Sequence, residues 1–108
     1  MMSTAGGRWL MVSIDLPSRS KAQRRSATRF SNWLVDFGYA RLHEALYVRY
    51  LPPRARLVTE VNRVAAGLPP QGAIVVVDVS DASMQRSVHV RDNTGQPAAE
   101  APELLVVY

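Results

Sequence analysis

The 108 residues include no cysteine, which excludes disulfides, thiolate catalysis and thiolate metal sites, and the length allows one core of modest size. No apolar run approaches the roughly 18 residues that span a bilayer, and the N-terminus lacks a signal peptide's apolar centre, so we expect a soluble cytoplasmic protein without a membrane partner. The formal net charge of +4 is uneven, because residues 1–63 hold eleven cations and four acids. Twelve of the thirteen cations are arginine, which favours a polyanionic partner, although a GC-rich genome produces the same bias.

The first predicted element is a strand at about residues 8–16. One of its faces is wholly apolar and the other carries Trp9, Met11, Ser13 and Asp15, a pattern typical of a central strand. A carboxylate in such a strand needs water, a hydrogen bond, a metal or a partner charge. Asp15 is therefore a candidate site residue, unless it simply accepts hydrogen bonds from the turn or helix that follows.

A basic amphipathic helix is predicted next, with Ser18 or Ser20 as its N-cap and Gly38 at its end. Its apolar stripe consists of Phe30, Trp33, Leu34 and Phe37. The nearly opposite side carries the candidate nucleic-acid-binding residues Lys21, Arg24, Arg25 and Arg29. This side could be an ordinary solvated face, but residues 21–35 contain no acid, whereas a face kept for solubility usually mixes signs.

Two strands are predicted at Tyr39–Leu42 and Ala45–Leu51, either as a tight hairpin around His43–Glu44 or as one bent strand with a bulge. A second helix follows, for which Pro53 can serve as the first residue. Its core-facing stripe comprises Leu57, Val58, Val61, Val64, Ala65 and Leu68. The cations off this stripe, expected to be solvated, are Arg54, Arg56 and Arg63.

The segment Ala73–Ser80 is apolar on both faces, which predicts another central strand with Asp78 as its only charge. A turn at Asp81 and a short strand over Met84–Val90 are expected next. The polar, turn-rich residues 91–103 predict a flexible loop. The apolar residues 104–108 then predict a C-terminal strand that lies at a distant sheet edge or is exchanged with another chain.

The order of elements predicts an α+β fold, a ferredoxin-like βαββαβ sandwich with a C-terminal strand extension, in which two helices cover one face of an antiparallel sheet. We expect this domain over residues 8–90, after a disordered N-terminus at 1–7. The other sheet face would place Trp9 and Met11 beside Asp15, too apolar for water. A homodimer is the simplest way to cover it.

Several catalytic mechanisms are excluded by the motifs. There is no Gly-rich phosphate loop, no set of ligands at metal-binding spacing and no nucleophile elbow. Neither His43 nor His89 belongs to a recognisable set of metal ligands, and both are expected at the surface or at strand ends. One carboxylate is too few for a two-metal phosphodiesterase, but a symmetric dimer could bring two copies of Asp15 together around Mg²⁺.

Five stretches, in this order and spacing, carry a resemblance to a known family. They are the strand Val12-Ser-Ile-Asp15-Leu-Pro17, the helix end Phe37-Gly38-Tyr39, the strand Leu46-Tyr-Val-Arg49, the segment Leu68-Pro-Pro-Gln-Gly72 and the terminus Glu103-Leu-Leu-Val-Val-Tyr108. Over roughly residues 8–108 the chain resembles the small CRISPR-associated endoribonucleases, the lesser subunit of the spacer-acquisition complex, and particularly their type II branch. His43 and Ala45 depart from the Gln and Ser usual in that branch.

The resemblance implies a ferredoxin-like homodimer whose C-terminal strands cross onto the partner's sheet. It also implies a metal, Mg²⁺ or Mn²⁺, between the two copies of Asp15. Members of the family are described as metal-dependent nucleases acting on RNA or double-stranded DNA. They are also described as non-catalytic spacers that bind foreign DNA beside the larger CRISPR integrase subunit.

Three functional interpretations follow from these observations. The first is a CRISPR adaptation protein that binds duplex DNA through its basic helix, with Asp15 as the metal position and nuclease activity left open. The second is primarily a Mg²⁺-dependent endonuclease for RNA or DNA, with Asp15 as its catalytic residue. The third is a ferredoxin-like dimer that binds a small ligand or a protein.

Overall fold

The computed structural model describes residues 7–90 and 99–100, which form one four-stranded antiparallel sheet, one two-stranded sheet and three helices. The elements are β1 (Arg8–Asp15), α1 (Lys21–Asp36), β2 (Ala40–His43), β3 (Leu46–Leu51), α2 (Leu57–Ala66), β4 (Ala73–Ser80), α3 (Asp81–Gln85), β5 (His89–Val90) and β6 (Ala99–Glu100). The larger sheet has the order β2-β3-β1-β4. This α+β arrangement is consistent with the predicted ferredoxin-like fold.

Strand β1 is central, as its two apolar faces predicted, and pairs with β3 on one side and β4 on the other. Leu10 and Val12 are completely buried and pack with Phe30 and Leu34 of α1 and with Val64 of α2. We call this side of the sheet the helix face. The main core of the domain lies between the helix face and the two longer helices.

Helix α1 begins and ends where the capping signals predicted. Ser20 is the N-cap, and its hydroxyl accepts the backbone N–H of Gln23 while the Gln23 side chain accepts the N–H of Ser20, which is a complete capping box. At the other end Gly38 adopts a φ of 94°, a left-handed conformation that favours glycine. These two ends fix which residues of the helix face solvent.

The two strands after α1 form the tight hairpin, which was the first of the two predicted alternatives. Strands β2 and β3 are antiparallel, and their register shifts between Arg41 and His43. Tyr47 and Val48 of β3 are completely buried, one on each face of the sheet. Near the end of β1, the backbone N–H of Ile14 donates to the Ala45 carbonyl. The hairpin turn therefore lies at the same end of the sheet as the end of β1.

The start of α2 differs from the prediction that Pro53 would be its first residue. The Pro52 carbonyl accepts the N–H of Ala55 at 2.9 Å, so the two prolines lie in a turn and the helix begins only at Leu57. The predicted core stripe is also too wide, because Val58 is 66% exposed and Ala65 is exposed as well. The side of α2 that is buried against the sheet is therefore narrower than the apolar stripe in the sequence, with Val64 at its centre.

The second face of the sheet, opposite the helix face, is partly covered by a helix that the sequence did not predict. Where a turn and a strand were expected, Asp81–Gln85 form α3, with the Ser80 hydroxyl accepting the N–H of Ser83. Met84 packs on Trp9 and Val48 in a second cluster of buried residues. The indole N–H of Trp9 donates to Asp81 at 2.9 Å, so this end of the second face is covered within one chain.

Strand β4 was predicted to be central but lies at the edge of the described sheet. Its helix-face residues pack on the core, whereas Val75 and Val77 on the second face are 62% and 44% exposed. Apolar residues on both sides of β4 therefore do not indicate a central strand here, because one side is packed and the other is open to solvent at Val75 and Val77.

Ala99–Glu100, inside the stretch predicted as a loop, pair with β5, and the predicted strand at 104–108 lies outside the described residues. The same holds for the predicted disordered residues 1–6. No helix in the described ranges is long and apolar enough to cross a membrane.

Candidate carboxylate site and nucleic-acid interface

The carboxylates Asp15 of β1 and Asp78 of β4 have different surroundings. Asp78 forms an ion pair with Arg8 at 3.2 Å. Asp15 is exposed at the end of β1, and over residues 7–90 and 99–100 its side chain makes no hydrogen bond or ion pair. The alternative that Asp15 serves as an acceptor for the following turn therefore finds no support. Of the two, Asp15 is the one available to an external ligand.

Asp15 does not form a complete metal site with its neighbours. Within the described part of the chain no three His, Cys, Asp or Glu side chains lie close enough to hold one ion. His43 is exposed at the end of β2, and His89 begins the short strand β5. A divalent cation prefers several oxygen ligands, so a metal at Asp15 would need ligands from a second molecule or from a substrate.

A cavity of about 510 Å³ with a mixed polar and apolar lining adjoins Asp15 between α1 and the β2–β3 hairpin. Its polar side chains besides Asp15 are Ser18, Thr28, Ser31, Asn32, Arg41 and Glu44. Arg41 donates to the Glu44 carbonyl at 2.8 Å, and its guanidinium carbon lies 5.9 Å from the centroid of the Tyr47 ring. These two contacts hold a planar cation at the cavity.

The four basic residues predicted to bind nucleic acid are all exposed on α1. Their side chains make no ion pair with any acid in the described residues. Two have structural contacts, because Arg24 Nη1 donates to the carbonyls of Ser18 and Arg19, both at 3.2 Å, and Arg29 donates to the Ser26 hydroxyl. Lys21 and Arg25 have no such contacts within the described chain and are the least constrained of the four.

The basic residues and the Asp15 cavity form one continuous surface. A shallow groove is lined by the four cations together with Thr28. Thr28 also lines the Asp15 cavity. A bound polyanion could therefore contact the cations of α1 and reach Asp15 without leaving the protein surface.

A second group of charges was not predicted from the sequence. Glu60 of α2 is buried and accepts from both Arg49 of β3 and Arg63. Arg63 also lies over the Phe37 ring, 5.4 Å from its centroid, so the expectation that it is merely solvated was wrong. The cluster ties α2 to the sheet and to the end of α1. Pairing of this kind depends on tertiary packing, and the spacing of charges along the chain does not indicate it.

Arg41 was also missed as a site residue. In the sequence it is one cation in a short alternating strand. Only the register of the hairpin, which pairs Arg41 with Tyr47, places it beside the end of β1. The sequence allowed either a tight hairpin or one bent strand with a bulge, and these place Arg41 differently, so its position follows from the structure alone.

Comparison with known proteins gives a consistent set of relatives. No family model matches the chain. The chain is 32% identical over 95 residues to the CRISPR-associated endoribonuclease Cas2 of Paracidovorax avenae, an alignment that covers 88% of each protein. It is 35% identical over 75 residues to CRISPR-associated endoribonuclease Cas2 2 of Rhodospirillum rubrum, covering 69% of this chain and 67% of that protein.

A third relative, the CRISPR-associated endoribonuclease Cas2 of Parvibaculum lavamentivorans, is 23% identical over 100 residues, which is 93% of this chain and 99% of that one. These alignments extend over most of the chain, as the five stretches that carried the resemblance do. The predicted family is therefore confirmed: the chain belongs to the CRISPR-associated endoribonuclease Cas2 family.

Proposed function

We propose that this protein acts in CRISPR adaptation as a homodimer that binds duplex DNA beside the larger CRISPR integrase subunit. The observation that carries the proposal is the exposed, acid-free row of cations on α1, which is continuous with the surface around Asp15. Cations arranged in this way neutralise phosphates and displace counterions regardless of base sequence. Such binding suits a protein that must accept DNA fragments of any sequence.

The open part of the second face is the proposed dimer surface. Val75 and Val77 are exposed there, next to Ser13 and Asp15 on β1. A two-fold axis through this surface would cover the valines and bring the two Asp15 carboxylates toward each other. Like charges at short distance favour a bound divalent cation. The second copy of Asp15 would then supply a further ligand for Mg²⁺ or Mn²⁺.

A nuclease role is the second candidate function. The relatives are named endoribonucleases, and Asp15 is exposed and unpaired among the described residues. When bound, a divalent cation lowers the pKa of a coordinated water and stabilises charge on phosphate oxygens. Asp15 would hold the ion, and RNA or DNA would be the substrate.

The proposal of duplex binding is tested by the salt dependence of affinity. Each phosphate contact contributes a slope of about 0.9 to the plot of log affinity against log salt concentration. Arg25→Ala should weaken binding to a blunt DNA duplex and reduce this slope by about 1. Arg54→Ala, which removes an exposed cation outside α1, is the matched control and should leave the slope unchanged. Equal slopes for wild type and Arg25→Ala would place the duplex on another surface.

A further inference from the structure

We propose that the cavity beside Asp15 binds one unpaired nucleotide, with its base stacked on the Arg41 guanidinium. This proposal deepens the proposed function and rests on it, because it assigns a ligand to the same surface. It divides that surface into two parts. The cations of α1 contact the phosphate backbone of any nucleic acid, and the cavity accepts a base only when that base is free of its pairing partner.

The first argument is the state of Arg41. Its guanidinium carbon lies 5.9 Å from the centroid of the Tyr47 ring, and its Nη2 donates to the Glu44 carbonyl. Arg41 is exposed, so its guanidinium is accessible to a ligand. Unpaired bases stack on arginine planes as well as on aromatic rings. Because two contacts already hold the Arg41 side chain in place, ordering it costs little free energy when a base binds.

The second argument is the polar lining. Asn32 makes no side-chain hydrogen bond with any residue in the described ranges, and its amide offers both donors and an acceptor. Ser31 also lines the cavity, and its hydroxyl is held 2.6 Å from that of the buried Tyr47, with either atom able to donate. Mixed donors and acceptors of this kind match the edge of a base, which is hydrogen-bonded to its partner strand in a duplex and exposed only when unpaired.

The third argument is size and position. The cavity volume of about 510 Å³ lies within the range of roughly 300–1,000 Å³ that is usual for small-ligand sites. A double helix cannot enter a concavity of this size, whereas one nucleotide can. Thr28 connects the cavity to the groove of cations. A single strand could therefore place one base beside Arg41 and carry its phosphates along α1, with Asp15 next to the sugar-phosphate chain.

The test uses the full-length protein with EDTA present, so that no metal-dependent cleavage occurs. The probes are a 12-nucleotide single strand with 2-aminopurine at its centre, made as DNA and as RNA, and a blunt DNA duplex. Stacking in the cavity should quench the fluorescence of 2-aminopurine. Arg41→Lys keeps the charge and removes the plane, and Arg54→Lys is the matched control at an exposed arginine elsewhere.

Arg41→Lys should weaken single-strand binding by about tenfold or more, the effect expected for one lost base stack, and should abolish the quenching. Its duplex affinity should stay within about twofold of wild type, as should both affinities of Arg54→Lys. Asn32→Ala is the second variant and should also weaken single-strand binding selectively. Unchanged quenching in Arg41→Lys and Asn32→Ala would overturn the proposal, and so would an equal loss of duplex affinity.

Failure of the proposed function has a different signature. If wild-type protein did not bind the duplex, or if Arg25→Ala did not reduce the salt slope, duplex binding by α1 would be refuted. The comparison of Arg41→Lys with Arg54→Lys on single strands would still decide whether the cavity holds an unpaired base.

Discussion

The hydrogen bond between Trp9 and Asp81 should be the main contact that holds α3 on the sheet. Both residues are buried, with 3% and 7% of their surface exposed, and the indole nitrogen lies 2.9 Å from the carboxylate oxygen. A hydrogen bond to a charged group contributes about 1.5–3 kcal/mol, and loss of its donor leaves the acceptor buried without that partner. The phenyl ring is also smaller than the indole and leaves a small cavity. Trp9→Phe should therefore lower the free energy of unfolding by about 2–4 kcal/mol.

Urea unfolding followed by circular dichroism measures this effect, at one protein concentration because self-association would shift the midpoint. Trp33→Phe is the matched control, since Trp33 is half-buried and its indole makes no hydrogen bond within the described chain. The double variant with Asp81→Asn gives the coupling energy, expected at about 1–3 kcal/mol. A coupling below about 0.5 kcal/mol, or equal losses for the two tryptophan variants, would refute this role of the hydrogen bond.

Three further predictions concern the Asp15 site, the packing of α2 and the behaviour at alkaline pH. Asp15→Asn should reduce any Mg²⁺-stimulated cleavage by a factor on the order of 10² or more and leave duplex affinity unchanged; retained cleavage would place the metal elsewhere. Gly67→Ala should lower the melting temperature, because the added Cβ would overlap the Trp33 ring, and overpacking costs about 1–3 kcal/mol; in a Trp33→Leu background the same change should be tolerated. Burial, and after it the charge of Glu60, raises the pKa of Tyr39 above its usual value of 10.0 although nearby arginines oppose the shift. Because the folded state holds this proton more tightly than the unfolded state, the stabilisation is complete below pH 10 and is lost as pH rises through the folded pKa, so the stability of wild type relative to Tyr39→Phe should fall there.

The larger elements could be predicted because their signals are local and repeated. Strand β1 has three alternating apolar positions, Leu10, Val12 and Ile14, and α1 has both a capping residue, Ser20, and a terminal glycine, Gly38. Helix α3 lacked such a signal, because five residues complete little more than one turn and show no period. The late start of α2 was missed for a related reason, since Pro53 fits a turn as well as a helix start.

For the candidate site, the sequence identified residues but not their relations. Helical period places the four cations on one side of α1, and alternation places Asp15 on the second face of β1. Whether Arg41 approaches Asp15 depends on the register of a hairpin across the sheet, and whether Glu60 is paired depends on how α2 packs. Whether Arg24 donates to backbone carbonyls depends on the path of the loop at Ser18–Arg19. These relations are tertiary, so no local pattern encodes them.

The covering of one end of the second face by α3 has a consequence for the order of assembly. Trp9, Val48 and Met84 complete their cluster inside a single chain, so the nascent domain can close both of its apolar clusters before it meets another copy. On the second face, as far as the structure describes it, Val75 and Val77 remain exposed for a later encounter. A small residual apolar area gives a weak driving force for association. Pairing of two copies would then respond to cellular concentration and to bound nucleic acid, and chains made in excess would persist as folded single subunits.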